Sequence, residues 1–246
     1  LQWDIDGILE MGVEAKTGQM LGRDMSVAGL LDEGYEAVLL ASGGWDSRLS
    51  RGGEKEVEMP LPGCFLLLDL LRSGRDGHPT VTCEGETVVI GGETLAARVL
   101  EKAREAGAER LTFIFRKAPD AATAAALSES GARVLTGVGV TRLFGQGETL
   151  TGIEVRGEAD GQVQMLDART LVFSAGRFPE LVFTRPAEEE ETAAPAGAWI
   201  ATPPYKQPAN AGQLGLFAKG DALTDFSGAI RAIGAGRRAA ATIHQL

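Results

Sequence analysis

Short apolar runs alternate along this chain with segments in which apolar residues recur at helical spacing. The spacing of Ile5, Ile8 and Leu9 predicts an opening helix, and Gly12 is a suitable C-terminal cap for it. The alternation over residues 13–16 predicts a short strand directly afterwards. The chain is therefore expected to open on a helix followed by a strand.

A capped helix and a buried strand are predicted next. Asp24 and Ser26 can cap a helix that continues to Leu31 and ends at Gly34. The continuous apolar run over residues 37–41 is typical of a strand that is covered on both faces.

A loop and a domain boundary follow this strand. Residues 46–62 are polar and contain Gly and Pro, which predicts a loop, and residues 65–72 form an amphipathic segment. We expect a boundary between residues 75 and 80. The sequence is accordingly divided into a first domain over 1–78, a second over 79–184, and a linker with a C-terminal return to the first domain over 185–246.

The second domain opens on the strongest pattern in the chain. Residues 88–90 predict a buried strand, Gly91-Gly92 a sharp turn, and the spacing from Leu95 to Ala103 a helix that ends at Gly107. A second strand over residues 111–115 completes a β-α-β unit of about 30 residues, which is the size of a parallel crossover.

The remaining segments extend this α/β pattern. A further helix is predicted over 121–130 and a strand over 132–135, followed by four runs that predict an antiparallel meander returning to the sheet: 141–144, 150–156, 163–166 and 170–174. The Glu run at 188–191 predicts a solvated linker within 185–198, with an acidic docking surface as the alternative. A strand over 214–218 and a helix from about Ser227 to Leu246 close the chain.

Charge and composition exclude several classes of function. The 246 residues contain 24 Lys and Arg against 34 Asp and Glu, so the formal charge is −10 and nucleic-acid binding is not expected. The longest nearly apolar run, residues 64–71, is interrupted by Asp69 and falls short of the roughly 18 residues of a membrane span.

Cysteine and histidine are scarce. Cys64 and Cys83 form no CxxC pair, so neither an iron–sulfur cluster nor a disulfide framework is expected, and two buried thiols in a reducing cytoplasm are the simpler interpretation. His78 and His244 are too few and too far apart to indicate a metal site.

The glycine turn is the first candidate for chemistry. A strand, a glycine turn and a helix leave amide groups free at the positive end of the helix dipole, where anions bind. A dinucleotide fingerprint has glycine at its first and third positions and Gly or Ala at its sixth. Gly91 and Ala96 comply, whereas Glu93 places a carboxylate where a pyrophosphate would lie. By itself this motif is weak.

Two further candidates follow other predicted strands. Arg116-Lys117 at the end of the second strand favours a 2′-phosphate, and therefore NADPH over NADH, although an exposed basic strand end is an equally good interpretation. Gly220-Asp221 precedes the last helix, and its Asp could accept a hydrogen bond from a cofactor hydroxyl. A Gly-Asp turn alone is common.

Taken in order, these pieces resemble the flavin-containing small subunit of glutamate synthase, within the two-dinucleotide-binding-domain flavoproteins. The resemblance is carried by IDGILEMGVEAKTG at 5–18, LLDEGYEAVLLASGGW at 30–45, the 30 residues from Val88 to Lys117, the strand end at 174–176, and LGLFAKGDALTDFSGAIRAIGAGRRAAATIH at 214–244. It implies parallel Rossmann-like sheets with an antiparallel meander.

The resemblance also implies roles for particular residues. FAD would contact Ala41, Ser42, Gly43, Gly220, Asp221, Ser227 and Gly228, with Asp221 on the ribityl chain and the helix from Ser227 directed at the flavin ring. Gly176 would be a further cofactor-binding residue. NADPH would contact Gly91, Gly92, Glu93, Thr94, Arg116 and Lys117. Hydride would pass directly from nicotinamide to flavin, so no catalytic side chain is implied.

Two departures from the family modify this expectation. The first glycine fingerprint and the cysteine-rich region of the family are absent, so we expect a fragment whose flavin domain is truncated at its N-terminus and whose exposed sheet edge could pair with another chain. The second departure is Glu93, where the family has glycine.

The resemblance leaves three functions open. The first is a cytoplasmic NADPH-dependent, FAD-containing oxidoreductase that passes electrons to a partner protein or domain with an iron–sulfur centre. The second is a degenerate scaffold or docking module without nicotinamide binding. The third is another flavoprotein reductase of the same superfamily.

Overall fold

The structure is a computed structural model, which describes residues 2–19, 21–41, 61–75, 80–174, 180–187, 194–203 and 221–245. The helices are α1 Gln2–Glu10, α2 Val27–Asp32, α3 Leu67–Arg72, α4 Ala96–Glu105, α5 Ala121–Glu129 and α6 Asp221–His244. The strands are β1 Ala37–Leu40, β2 Cys64–Leu66, β3 Glu86–Ile90, β4 Arg110–Phe115, β5 Arg133–Thr136, β6 Val138–Gln146, β7 Thr149–Gly157, β8 Val163–Asp167, β9 Thr170–Phe173, β10 Leu181–Thr184 and β11 Ala198–Thr202.

One sheet is parallel and has the strand order β2-β9-β3-β4-β5. The predicted β-α-β unit is confirmed, because β3 pairs in parallel with β4 after the crossover through α4. The helix predicted over 121–130 and the strand predicted over 132–135 are confirmed as α5 and β5. The structure is therefore mixed α/β around a parallel sheet.

The other sheet is antiparallel and has the order β1-β10-β11-β6-β7-β8. Its β6-β7-β8 portion is the predicted meander. The fourth run of that prediction, β9, leaves the meander and returns to the parallel sheet between β2 and β3. Within the described residues a second parallel sheet is not found, so that feature of the expected flavoprotein fold stays a prediction.

Alternating side chains of the parallel strands build two cores. On β3, Val88 belongs to the core shared with the antiparallel sheet, where Ile153, Phe183 and Trp199 are buried. The next residue, Val89, faces the core that α3, α4 and α5 cover. Because successive side chains of a strand point to opposite faces, this one strand connects the antiparallel sheet, the parallel sheet and the helical layer.

Three early predictions need correction. Residues 13–16 form no strand and are exposed, because no strand lies beside them to complete a ladder in the described structure. Strand β1 was predicted to be covered on both faces, but it lies at the edge of the antiparallel sheet, where Leu39 is 38% exposed. The segment 65–72 divides into β2 and α3, since its first residues pair with β9.

The last helix also starts earlier than predicted. It begins at Asp221 rather than near Ser227, and Ala222 and Leu223 in the added turn are strong helix formers. The predicted strand over 214–218 and most of the loop over 46–62 lie outside the described residues. The domain limits at 78 and 184 remain predictions; the structure pairs β2 with β9, and β10 with both β1 and β11.

Candidate functional site

The predicted nucleotide residues lie at the carboxyl edge of the parallel sheet. Ile90 at the end of β3 is in register with Ile114 on β4 and with Phe173 on β9. The residues that follow these strands, the Gly91-Gly92 turn, Arg116-Lys117 and Ser174, therefore emerge at one edge. In parallel α/β sheets this is the edge at which ligands bind.

Both glycines of the turn are required by their backbone conformation. Gly91 has φ +77° and Gly92 has φ +82°, in the left-handed region that glycine adopts without strain. The Gly91 amide donates to Ile114 O at 2.8 Å, and the Ser174 amide donates to Ile90 O at 2.9 Å. The turn is thus tied to the strands on both sides of β3.

Several amides at this turn have no acceptor among the described residues. A 3-10 turn over Glu93–Leu95 precedes α4, and neither begins with a side-chain cap. Leu95 N donates to Gly92 O at 2.9 Å, whereas no described residue accepts from the amides of Gly92, Glu93 or Thr94. Three consecutive amides of this kind are the donors that an anion such as a phosphate would need at this turn.

Glu93 is the feature that opposes an anion there. Its side chain is half-buried and follows Gly92 directly, so it occupies the third position of the fingerprint. It makes no ion pair within the described part of the chain. The turn and the amides fit a dinucleotide phosphate, but this carboxylate does not.

Arg116 and Lys117 are exposed immediately after β4. Among the residues that the structure describes, neither has an ion-pair partner. Both cations are therefore available to a ligand phosphate that reaches from the glycine turn to the neighbouring strand end.

The residues predicted to bind FAD are less completely described. Ala41 is exposed at the end of β1, and Asp221 is the first residue of α6. Ser227 and Gly228 lie inside α6, so they are not at its N-terminus as predicted. The predicted Ser42, Gly43, Gly176 and Gly220 lie outside the described residues. The flavin contacts remain a prediction.

The structure places two side chains, those of Ser174 and Leu67, against the glycine turn. A Cβ on Gly91 would overlap Ser174 Oγ, and a Cβ on Gly92 would stand 3.1 Å from Leu67 Cδ2. The strand end at 174–176 was part of the family resemblance, but Ser174 was not among the predicted site residues. Leu67 carries no signal in the sequence, because only the fold brings it to the turn.

A separate cavity of about 200 Å³ lies beside the antiparallel sheet. Its walls include Leu21, Val27, Leu61, Glu148 and Trp199, and none of the predicted site residues that the structure describes lines it. The indole nitrogen of Trp199 already donates to Gly147 O at 3.0 Å, and Ser26 Oγ accepts from Gly29 N, whereas the Glu148 carboxylate also lines this cavity.

The two cysteines are buried free thiols. Burial raises the pKa of Cys64 from 9.0 to about 12. Burial likewise raises the pKa of Cys83 to about 11, and the nearby Thr87 hydroxyl opposes this increase. Thiols held protonated in this way are poor nucleophiles and poor metal ligands. No cluster of three metal-binding side chains occurs among the described residues.

Comparison with known proteins gives only distant likenesses. No protein-family model matches the chain, and no curated protein matches it. Similar solved structures include the thioredoxin reductase of Giardia duodenalis, at 21% identity and TM-score 0.34 over 38% of this chain and 31% of that one. Thioredoxin reductase of T. acidophilum is 19% identical, with a TM-score of 0.31 over 38% of this chain and 32% of that one. Histamine dehydrogenase from Rhizobium sp. 4-9 is 14% identical, with a TM-score of 0.36 over 52% of this chain and 21% of that one.

This chain thus spans about a third or less of the length of those structures. Identities and TM-scores at this level assign neither a family nor an activity. Among the described residues, no helix is long and apolar enough to cross a membrane.

Proposed function

We propose that this chain supplies the nicotinamide-nucleotide site of a flavin-dependent oxidoreductase of the glutamate synthase small-subunit type. The protein would take hydride from NADPH onto FAD and pass electrons to a partner protein or domain, which we expect to carry an iron–sulfur centre. The observation that supports this best is the Gly91-Gly92 turn, because it combines two left-handed glycines with three amides, at residues 92–94, that donate to no described residue ahead of the 3-10 turn leading into α4.

The described residues would act by binding and orientation. The amides of Gly92, Glu93 and Thr94 would hold the diphosphate of the dinucleotide, and Arg116 with Lys117 would hold the 2′-phosphate of NADPH. When bound, the nicotinamide supplies hydride and the flavin accepts it. The residues predicted for FAD would hold the flavin nucleotide on the first domain.

Titration calorimetry with NADPH and NADH tests this assignment. Replacing Arg116 and Lys117 together by Gln should weaken NADPH about tenfold and leave NADH almost unchanged, since only NADPH has the extra phosphate. Arg133→Gln is the matched control, because Arg133 is exposed at the opposite, amino edge of the sheet. An equal loss of affinity for NADPH and NADH would contradict the role assigned to Arg116 and Lys117.

A second candidate function is a degenerate scaffold without nicotinamide binding, and Glu93 favours it. A carboxylate about 4 Å from a phosphate costs roughly 1 kcal/mol when hydrated and about 4 kcal/mol at an effective dielectric near 20. Glu93→Gly and Glu93→Gln should therefore strengthen NADPH binding if the site is functional. Absence of NADPH binding in the wild type, with binding gained in both variants, would support the scaffold, whereas no gain in either variant would argue against the charge of Glu93 as its reason.

A further inference from the structure

We infer that the free edge of β8 is a homodimer interface, at which two copies of this chain pair their β8 strands antiparallel about a two-fold axis at Met165. The inference goes beyond the proposed function, because β8 belongs to the antiparallel sheet and contains none of the residues predicted to bind NADPH or FAD. It also concerns a different edge from the truncated one expected in the first domain, since β8 falls within the predicted second domain.

Strand β8 ends the antiparallel sheet and has the features of an edge that can accept another strand. Within the described residues it pairs only with β7, and its register with β7 runs without a shift. The β6-β7 pair, by contrast, has two register shifts. Exposed edges are commonly protected by bulges, proline or lysine, and the sequence VQMLD of β8 contains none of these protections. This edge is therefore open to pairing.

The outer face of β8 is apolar at its first and third residues. Val163 is 50% exposed and Met165 is 54% exposed. Leu166 is buried in the core between the two sheets, and because side chains alternate along a strand, Val163 and Met165 point to the opposite face. A strand added beside β8 would remove part of both side chains from water.

Two hydrogen bonds set the phase of the β7-β8 ladder. Gly157 N donates to Gln162 O at 2.9 Å just before β8, and Ala168 N donates to Thr151 O at 3.4 Å just after it. Successive residues of an antiparallel strand direct their N–H and C=O groups to opposite sides. The even-numbered residues of β8 therefore bond to β7, and the odd-numbered residues present their main-chain groups at the free edge.

The main-chain groups at the free edge are those of Val163, Met165 and Asp167. A two-fold axis at Met165 places this residue opposite its own copy and places Val163 opposite Asp167 of the partner subunit, as in an isologous dimer. Each of the three residues would then donate one hydrogen bond and accept one, which is the pattern of hydrogen-bonded antiparallel pairs. This single register satisfies every outward-facing main-chain group of β8.

Charge complementarity favours a second copy as the occupant of this edge. On the outer face Arg156 of β7 is in register with Val163, and Asp167 is in register with Gly152. In the dimer, Arg156, Val163 and Asp167 of the partner subunit would form one row across the strands, and symmetry would repeat this row. Strands lie about 4.8 Å apart, so the two charged residues would start about 10 Å apart, a distance that an arginine can span with its apolar stem over Val163.

Within one copy both charges of this row lack a partner. Arg156 and Asp167 are exposed, and neither forms an ion pair with a residue that the structure describes. The pKa of Arg110 is raised mainly by its ion pair with Glu86 and least by Asp167, so Arg110 is already engaged elsewhere. The dimer would thus pair two charges that a single copy leaves unpaired.

Sedimentation equilibrium of the whole chain over a range of concentrations tests the dimer. One five-residue strand from each copy is a small interface, so we expect a dissociation constant of about 10–100 μM. Met165→Arg places two cations directly opposite each other and should weaken the dimer at least about tenfold. Met165→Leu keeps an apolar side chain and should leave the dissociation constant almost unchanged. Because Met165 is exposed, both variants should melt like the wild type at concentrations where the chain is monomeric.

A charge exchange tests the register of the two strands. Arg156→Asp and Asp167→Arg should each weaken the dimer about tenfold, because each places like charges in both rows. The double variant restores opposite charges in these rows and should recover most of the affinity. Absence of recovery in the double variant would overturn the register about Met165.

Cysteine cross-linking tests which edge of the sheet is used. Hydrogen-bonded antiparallel partners have Cα atoms about 5.5 Å apart, which a disulfide can bridge. The two cysteines of the chain are buried, so Met165→Cys should give a disulfide-linked dimer on mild oxidation. Leu39→Cys is the matched control, since Leu39 is exposed on β1 at the opposite edge of the same sheet, and it should remain monomeric.

Three further results would overturn the inference. The first is a wild-type chain that stays monomeric well above the expected dissociation constant. The second is a dimer whose dissociation constant is unchanged in Met165→Arg. The third is cross-linking through Leu39→Cys and not through Met165→Cys, which would assign the dimer to β1. None of these results bears on NADPH binding, so the proposed function stands or falls separately.

Discussion

The indole of Trp199 on β11 lies directly on the backbone of Gly145 on β6. The two residues are partners in the antiparallel register, and a Cβ on Gly145 would overlap the six-membered ring of the indole. The indole nitrogen donates to Gly147 O at 3.0 Å, and the ring packs edge-on against Phe183 with centroids 5.5 Å apart. Trp199 is among the largest fully buried side chains of the structure.

Gly145→Ala should therefore destabilise the protein. The added methyl group would displace a buried indole, and overpacking of this kind costs about 1–3 kcal/mol. Urea unfolding measures the loss. Gly139→Ala on the same strand is the matched control, since no described atom lies within 4 Å of its Cβ position, and it should be close to neutral. Equal effects at the two positions would contradict the observed packing of Trp199.

Gly91→Ala should lower the free energy of unfolding more than the same substitution at a glycine with equal backbone strain elsewhere. Gly131 has φ +76° with open space around its Cβ position, so Gly131→Ala measures the backbone strain alone, about 1 kcal/mol. Gly91→Ala adds the collision with Ser174 to the same strain. Its free energy of unfolding should fall further, and NADPH binding should be lost. Combining it with Ser174→Ala should recover part of the stability.

Substitution by valine should change the stability of the protein in opposite directions at the buried residues Thr87 and Thr112. Thr87 is fully buried, and its hydroxyl has no nitrogen or oxygen partner among the described residues, although the weakly bonding Cys83 thiol is nearby. Thr112 is also buried, but its hydroxyl donates to Glu86 Oε1 at 3.3 Å. Thr87→Val should stabilise and Thr112→Val should destabilise, each by about 1 kcal/mol in denaturant unfolding.

Stability should fall with rising pH above about 9 because of the buried thiols. Burial raises the pKa of Cys64 from 9.0 to about 12, so the unfolded chain releases this proton first. The stabilisation is complete below pH 9 and is lost as the pH rises toward 12, with a slope of at most about 1.4 kcal/mol per pH unit for each thiol. Cys64→Ala should reduce the slope measured between about pH 8 and about pH 10.5. An unchanged slope would show that Cys64 ionises equally in both states.

The β-α-β unit could be predicted because its signals are local. Val88 to Ile90, the two glycines and the helical spacing from Leu95 to Ala103 each act within a few residues, and the structure confirms all three elements. The helix cap at Ser26 was predictable for the same reason, and the structure confirms it, because the Ser26 hydroxyl accepts from Gly29 N at 2.9 Å. Arg116 and Lys117 were also recognisable, since they follow directly on an apolar strand.

Only the tertiary structure decided which strands meet. The apolar run over residues 37–40 predicts a strand, but its partner strand is chosen by contacts far away in sequence. Here the partner is β10, which leaves β1 at the edge of the antiparallel sheet. The sequence by itself therefore determined the glycine turn and its charges. The placement of β9 beside β3, and with it the contact between Ser174 and Gly91, depends on long-range pairing that no local pattern encodes.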